Sequence, residues 1–165
     1  MLKRAIYAVT FAAVAGSVVM VSASKNEPML SSHMQASVVS VDANGKEIMR
    51  NMKEVAPGQT IQYKLTYSNN SDKSFKGLVV TGPIPTNTHY LANSAVTKVA
   101  AQRLVSIDGG KTFEKEPVKR QKRMPDGSLK TVIIPASKYT HIRWKANDAL
   151  VSKGQQQYIY RVKVN

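Results

Sequence analysis

Residues 60–68 alternate strictly between polar and apolar side chains, a pattern that few kinds of structure accommodate. The apolar positions carry large side chains: Ile61, Tyr63, Leu65 and Tyr67. Because successive side chains of a strand point to opposite faces of a sheet, the pattern predicts an antiparallel strand with one buried and one solvated face. The segment 158–164 repeats the alternation and predicts a second strand of the same kind.

Shorter strand-like segments separated by turn residues occupy most of the remaining chain. Candidate strands lie at 39–41, 46–55, 77–81, 95–99, 103–107, 131–134 and 141–145. Residues with turn chemistry (Asn, Asp, Gly and Pro) separate them at 42–45, 56–59, 69–72 and 108–110. About seven to nine short strands with such turns predict an all-β domain, an antiparallel β-sandwich over residues 37–165.

The aromatic residues of these strands are predicted to fill the space between two sheets. Trp144 is the only tryptophan, and we interpret it as a core residue between the sheets rather than as a platform for a ligand. The tyrosines of the two alternating strands are interpreted as core residues with hydroxyl groups near the sheet edges: Tyr63, Tyr67, Tyr158 and Tyr160.

The N-terminus has the three parts of a removable secretory signal peptide, predicted over residues 1–23. Lys3 and Arg4 precede an uncharged apolar run, and Val-Ser-Ala at 21–23 provides a cleavage site. A membrane anchor is the alternative, but the run is short for a bilayer span and the cleavage site follows at once. We therefore expect export to the periplasm, the cell exterior or the cell surface, with no transmembrane anchor after cleavage. Residues 24–36 are polar and irregular and are predicted to be a flexible N-terminal segment.

The composition narrows the class of protein. The chain has no cysteine, which excludes a disulfide scaffold, a thiolate nucleophile and a zinc–thiolate site. Its formal net charge of +14 favours anionic partners such as acidic polysaccharides or lipid headgroups. The alternative is that the basic surface only keeps the protein soluble. Nucleic acid is not expected as the partner, because export separates the protein from it.

A basic stretch at about residues 114–130 interrupts the strand pattern and is punctuated by prolines and by Pro-Asp-Gly at 125–127. It predicts an excursion from the sandwich, such as a protruding hairpin, before strand character resumes at 131–134. It could grip an anionic polymer, or it could be a solvated hairpin whose charges discourage aggregation through sheet edges. The candidate anion-binding residues are Lys115, Lys119, Arg120, Lys122, Arg123 and Lys130.

Five segments in order resemble a family of exported bacterial domains, the conserved-repeat domain of unknown function eleven. They are Ala-Pro-Gly-Gln at 56–59 with Tyr-Lys-Leu-Thr-Tyr-Ser-Asn at 63–69, and the segments 78–85, 89–95, 106–113 and 139–144. The resemblance covers about residues 36–165. It implies an immunoglobulin-like β-sandwich in an exported or surface protein, and it implies no catalytic residues. The chain departs from the family at Gly82, where the family usually has aspartate before the proline.

The sequence contains no recognisable arrangement of catalytic or cofactor-binding residues. Its histidines, His33, His89 and His141, lie in unrelated segments, and the serine-hydrolase elbow, the zinc-protease helix and the phosphate-binding glycine loop are all absent. We therefore predict a protein without enzymatic activity and without a cofactor. Asp108 begins an Asp-Gly-Gly turn and is interpreted as a turn residue rather than as a calcium ligand.

No metal site is predicted, although one group of soft ligands stands near the mature N-terminus. Met29, His33 and Met34 are candidate copper ligands, because thioether and imidazole groups suit Cu(I). The alternative is that these methionines only pack against neighbours or lie in a mobile segment.

These features together favour a non-catalytic structural or interaction module of the bacterial cell envelope or surface. Its expected partners are other envelope or surface proteins or copies of itself. One alternative is a pilus-like filament subunit that donates its N-terminal segment, residues 24–36, to a neighbouring sandwich. Another is a binder of anionic envelope polymers that uses the basic residues of the excursion.

Overall fold

The computed structural model describes residues 28–52 and 54–165. The predicted signal peptide, residues 1–23, lies outside this part of the chain. The strands are β1 (Leu30–Val41), β2 (Glu47–Asn51), β3 (Thr60–Asn69), β4 (Val79–Pro83), β5 (Thr88–Tyr90), β6 (Val96–Thr97), β7 (Ala101–Ser106), β8 (Lys119–Arg123), β9 (Leu129–Ile133), β10 (His141–Ala146) and β11 (Gln155–Val164). A 3-10 turn, Ala136–Lys138, precedes β10. The described residues include no helix long and apolar enough to cross a bilayer.

The strands form antiparallel sheets, so residues 28–52 and 54–165 are all-β, as the sequence predicts. One sheet has the order β2-β1-β3-β11-β5, with β6 also paired to β11, and a second has the order β4-β10-β7. Among the described strands, β8 and β9 pair with each other and with no other strand. Residues from both larger sheets share one buried cluster, an arrangement consistent with a β-sandwich. The described strands outnumber the prediction because β5 and β8 have no counterpart among the candidate strands.

The two alternating segments pair with each other at the centre of the larger sheet. Tyr63 of β3 lies opposite Tyr160 of β11, and their rings stack with centroids 5.0 Å apart. Both rings are buried, as the alternation predicts. Burial without a hydrogen-bond partner for its hydroxyl raises the pKa of Tyr63 to about 12. The hydroxyl of Tyr160 instead donates to the carbonyl oxygen of Pro83 at 2.5 Å, which ties β11 to the end of β4.

Trp144 on β10 fills the space between the sheets, which confirms its interpretation as a core residue. Its side chain is 2% exposed. Its ring centroid lies 5.5 Å from that of Tyr158 and 6.2 Å from that of Tyr160, both on the facing sheet. The smaller sheet therefore contributes the largest side chain of the core, and the larger sheet contributes the tyrosines around it.

The prediction of an irregular segment over residues 24–36 is wrong for residues 30–36. These residues form the first half of β1 and pair with the end of β3, from Leu30 opposite Asn69 to Ala36 opposite Tyr63. Their sequence has few apolar residues, but an edge segment is held mainly by backbone hydrogen bonds to its neighbour and needs little side-chain burial. Strand β2 covers only Ser37–Val41 on the other side of β1.

Gly82 on β4 allows the close approach of a buried ring. A β-carbon at this position would lie 2.4 Å from Cε1 and 2.9 Å from Cζ of Tyr160. The Tyr160 ring is fully buried and its hydroxyl is hydrogen-bonded, so the ring has no room to move away. Only glycine therefore fits at position 82 in this packing. This is also the position at which the chain departs from the family that it resembles.

We expect Gly82→Ala to lower the free energy of unfolding by about 1–3 kcal/mol, because overpacking forces buried groups apart. Urea denaturation followed by circular dichroism measures the change. Val79→Ala is the matched control, since Val79 lies on the same strand with 48% of its side chain exposed, and its effect should stay within about 0.5 kcal/mol. A Gly82→Ala variant as stable as the parent would show that Tyr160 is not held as described.

Candidate functional site

The basic excursion folds into an antiparallel ribbon, which we call the hairpin arm: β8, β9 and the turn between them, residues 119–133. Its register runs from Lys119 opposite Ile133 to Arg123 opposite Leu129. All strand residues of the hairpin arm are exposed except Val132, which is half-buried. The hairpin predicted for this region is therefore present. The segment 131–134, predicted to have strand character, supplies most of the second strand of the hairpin arm.

The hairpin arm is anchored at its base by apolar packing. Val118, just before β8, is 1% exposed and belongs to the main core, and Ile134, just after β9, packs against that core. The backbone N–H of Ile134 donates to the carbonyl oxygen of Val118 at 2.9 Å. An isolated two-stranded ribbon is marginally stable in water, so this anchor is what holds the arm in place.

The turn at the tip uses the only carboxylate of the hairpin arm. Asp126 accepts hydrogen bonds from the backbone N–H of Ser128 at 2.9 Å and from its hydroxyl at 2.6 Å. These bonds stabilise the ionised carboxylate and lower the pKa of Asp126. Gly127 has a φ of 81°, which glycine adopts without strain. The acidic group therefore shapes the turn and does not pair with the cations of the strands.

One of the six candidate anion-binding residues, Arg120, already forms an ion pair with a carboxylate of the same chain. Arg120 holds Glu114 through both guanidinium Nη atoms, with Nη1 2.9 Å from Oε2. This fork lowers the pKa of Glu114, chiefly through the hydrogen bonds from Arg120. Arg120 thus attaches one face of the hairpin arm to the segment that precedes it. Because its guanidinium is already paired, we remove Arg120 from the candidate anion-binding residues.

The remaining predicted residues do not form a single patch. Lys115 lies before the hairpin arm. It follows Glu114, which forms an isolated antiparallel β-bridge with Val105 of β7. Directly opposed residues of antiparallel strands share a face, so Lys119 and Arg123 lie on one face with Ile133 and Leu129. The lysines at the middle of the ribbon, Lys122 and Lys130, oppose each other on the other face, where like charges repel.

The four cations Lys119, Lys122, Arg123 and Lys130 have no acidic partner in the part of the chain that the structure describes. The ion pairs of that part join Arg103 to Glu116, Arg120 to Glu114, Lys153 to Asp72 and Arg161 to Glu47. The hairpin arm therefore presents uncompensated positive charge on a projecting element, where it is available to an external anion.

Two apolar residues of the hairpin arm were not recognised from the sequence as surface residues. Leu129 is 64% exposed and Ile133 is 63% exposed. The sequence predicts only that strand character resumes at 131–134, and that pattern does not say whether Ile133 is buried. The turn Pro-Asp-Gly at 125–127 could have indicated that Leu129 and Ile133 are surface residues. A hairpin turn there places residues 129–133 opposite the basic strand rather than in the core.

The candidate copper ligands are distributed along β1. His33 and Met34 occupy successive positions of this strand, opposite Thr66 and Leu65, so their side chains project to opposite faces of the sheet. Met29 precedes the strand and is 68% exposed. In residues 28–52 and 54–165 no group of three or more His, Asp or Glu side chains is arranged to hold a metal ion.

The histidines and Asp108 take part in local hydrogen bonds. His89 Nδ1 lies 2.6 Å from the side-chain oxygen of Asn165, and His141 Nδ1 lies 3.2 Å from the hydroxyl of Thr140. Asp108 accepts hydrogen bonds from the side chains of Ser106 and Thr112 and from backbone N–H groups of its turn. These bonds hold the pKa of Asp108 well below its usual range. Its carboxylate is thus used in the turn, in agreement with its interpretation from the sequence.

A surface groove of about 380 Å³ lies between β6 and β11. Its lining contains one charged side chain, Lys98, among valine, threonine, glutamine and isoleucine residues. This lining offers neither a nucleophile beside a base nor a pair of carboxylates, so the hairpin arm is the better candidate functional site.

Comparison of the chain with protein-family models, with curated proteins and with solved structures finds no match. The resemblance to the conserved-repeat family stays a prediction from the sequence.

Proposed function

We propose that the protein is a non-catalytic exported interaction module of the bacterial cell envelope, an immunoglobulin-like sandwich that binds an anionic partner with its hairpin arm. The observation that carries this proposal is a set of cations on the projecting ribbon that have no acidic partner among the described residues: Lys119, Lys122, Arg123 and Lys130. An anion between Lys122 and Lys130 would relieve the repulsion of the opposed lysines.

Donation of the N-terminal segment to a neighbouring subunit is the less supported alternative. Residues 30–39 pair with β3 of their own chain, and the strand would have to leave this position before it could enter another sandwich. The hairpin arm requires no such rearrangement, so binding through the arm is the function that the geometry supports best.

Neutralising the four cations to glutamine should weaken binding to dextran sulfate by at least about tenfold in 0.1 M salt, since each exposed charge contributes a few tenths of a kcal/mol or more. The salt dependence of the remaining binding should become shallower. Equilibrium titration of the labelled polymer measures both quantities.

The matched control neutralises the same number of exposed cations elsewhere on the domain: Lys46→Gln, Lys76→Gln, Lys98→Gln and Lys163→Gln. It alters the net charge equally but leaves the hairpin arm intact. Equal losses in both variants would assign binding to overall charge and would overturn the hairpin arm as the site. Unchanged binding in the arm variant would do the same.

A further inference from the structure

The face of the hairpin arm that carries Lys119 and Arg123 is both cationic and apolar. Ile133 lies directly opposite Lys119, and Leu129 lies directly opposite Arg123. Between these two pairs, the side-chain nitrogen of Gln121 donates to the hydroxyl of Thr131 at 3.0 Å. The polar groups in the middle of the face are therefore hydrogen-bonded to each other. The groups left for an external partner are two aliphatic side chains, each beside a positively charged residue.

The orientation of the arm leaves this face free. Arg120 projects from the opposite face and is held by Glu114 of the preceding segment. The face with Leu129 and Ile133 therefore points away from that attachment, and both residues remain more than half exposed. They stand four positions apart on β9, which corresponds to about 13 Å along the strand.

The apolar residues distinguish between the possible anionic partners. A soluble polyanion neutralises the cations but leaves Leu129 and Ile133 in water. The surface of an anionic bilayer satisfies both features, because lipid phosphates pair with the cations while the aliphatic side chains enter the boundary between headgroups and acyl chains. Lys119 and Arg123 have long aliphatic stems that reach back to the headgroups from that depth.

We propose that the hairpin arm docks the protein on an anionic lipid bilayer, with Leu129 and Ile133 inserted at the interface and Lys119 and Arg123 of the same face among the headgroups. Lys122 and Lys130 add positive charge from the opposite face of the ribbon. This proposal rests on the proposed function, because it names the anionic partner of the same arm. The hairpin arm lies on the membrane surface in this arrangement, since only one face of a short ribbon takes part.

The first test removes the apolar groups and keeps every charge. The double variant Leu129→Thr, Ile133→Thr should bind vesicles of phosphatidylcholine and phosphatidylglycerol about tenfold more weakly than the parent in sedimentation, since each side chain buries apolar area on insertion. Its binding to dextran sulfate should be unchanged. Val96→Thr with Val151→Thr is the control, because these residues are similarly exposed away from the arm.

The second test detects insertion directly. Leu129→Trp places an indole on the arm, while the native Trp144 is buried in the core and serves as a constant background. Fluorescence emission should shift to the blue on addition of phosphatidylglycerol vesicles and should stay constant with phosphatidylcholine vesicles alone. A Leu129→Trp protein that binds vesicles without this shift would overturn insertion.

The outcomes separate this proposal from the function on which it rests. A parent protein that binds dextran sulfate but not phosphatidylglycerol vesicles overturns membrane docking and leaves the anionic partner in place. A parent protein that binds neither overturns both. If the Leu129→Thr, Ile133→Thr variant binds vesicles as tightly as the parent, the interaction depends on charge alone. This result also overturns the proposal.

Discussion

Trp144→Ala is expected to lower the free energy of unfolding by about 3–5 kcal/mol, the largest loss for any single substitution that we propose. The side chain is 2% exposed and packs between Tyr158 and Tyr160 of the facing sheet. Its removal leaves a cavity between the sheets that the tyrosines cannot fill, because their positions are fixed by strand pairing on β11. Denaturation by urea, analysed with a common slope, measures the loss.

Lys145→Ala provides the matched control, because Lys145 is the next residue of β10 and its side chain is exposed. We expect its effect to stay within about 0.5 kcal/mol. Trp144→Phe should fall between the two, since it keeps an aromatic ring in the space. A loss below about 1 kcal/mol for Trp144→Ala would mean that the residue does not pack between the sheets as described.

Asn69→Ala is expected to lower the free energy of unfolding by about 3 kcal/mol, because it removes a buried hydrogen-bonding group that joins two loops. Asn69 is 1% exposed at the end of β3. Its side-chain nitrogen lies 2.7 Å from the carbonyl oxygen of Lys73, 3.1 Å from that of Leu150 and 2.9 Å from that of Val151. Its side-chain oxygen accepts from the backbone N–H and the hydroxyl of Ser71.

Asp72→Ala is the control within the same turn. Asp72 forms an ion pair with Lys153, but its side chain is 90% exposed, so its loss should change stability little. Hydrogen exchange adds a local measurement: the amide of Phe75, which donates to the carbonyl oxygen of Leu150 at 2.9 Å, should lose protection in Asn69→Ala more than in Asp72→Ala. Equal protection in the two variants would contradict the bridging role of Asn69.

The alternation of apolar and polar residues was sufficient to predict the centre of the larger sheet. Strands β3 and β11 follow that pattern closely because one face of each packs on the core and the other meets solvent. The same alternation could have identified Asn69 as buried, since it continues the series 61, 63, 65 and 67. We interpreted it only as a turn residue, because asparagine is common in turns.

The elements that sequence reasoning missed are those held by distant parts of the chain. Residues 30–36 are held in a strand conformation by pairing with β3. Strand β5 is held by pairing with the end of β11. Neither pairing is encoded in the local residue pattern. The separation of the basic residues into two faces likewise depends on the register of the hairpin arm, which is set by its turn.

The position of β11 has a consequence for how this molecule is assembled during synthesis. Strand β11 follows all the other described strands in sequence, lies between β3 and β5, and completes the centre of the larger sheet. Until Gln155–Val164 become available, β3 has an open edge and the tyrosines that surround Trp144 are missing. Contacts between such distant segments slow folding, and they leave the partly made chain open to wrong pairings. A chain truncated before β11 should therefore fail to fold, however many of its other strands it retains.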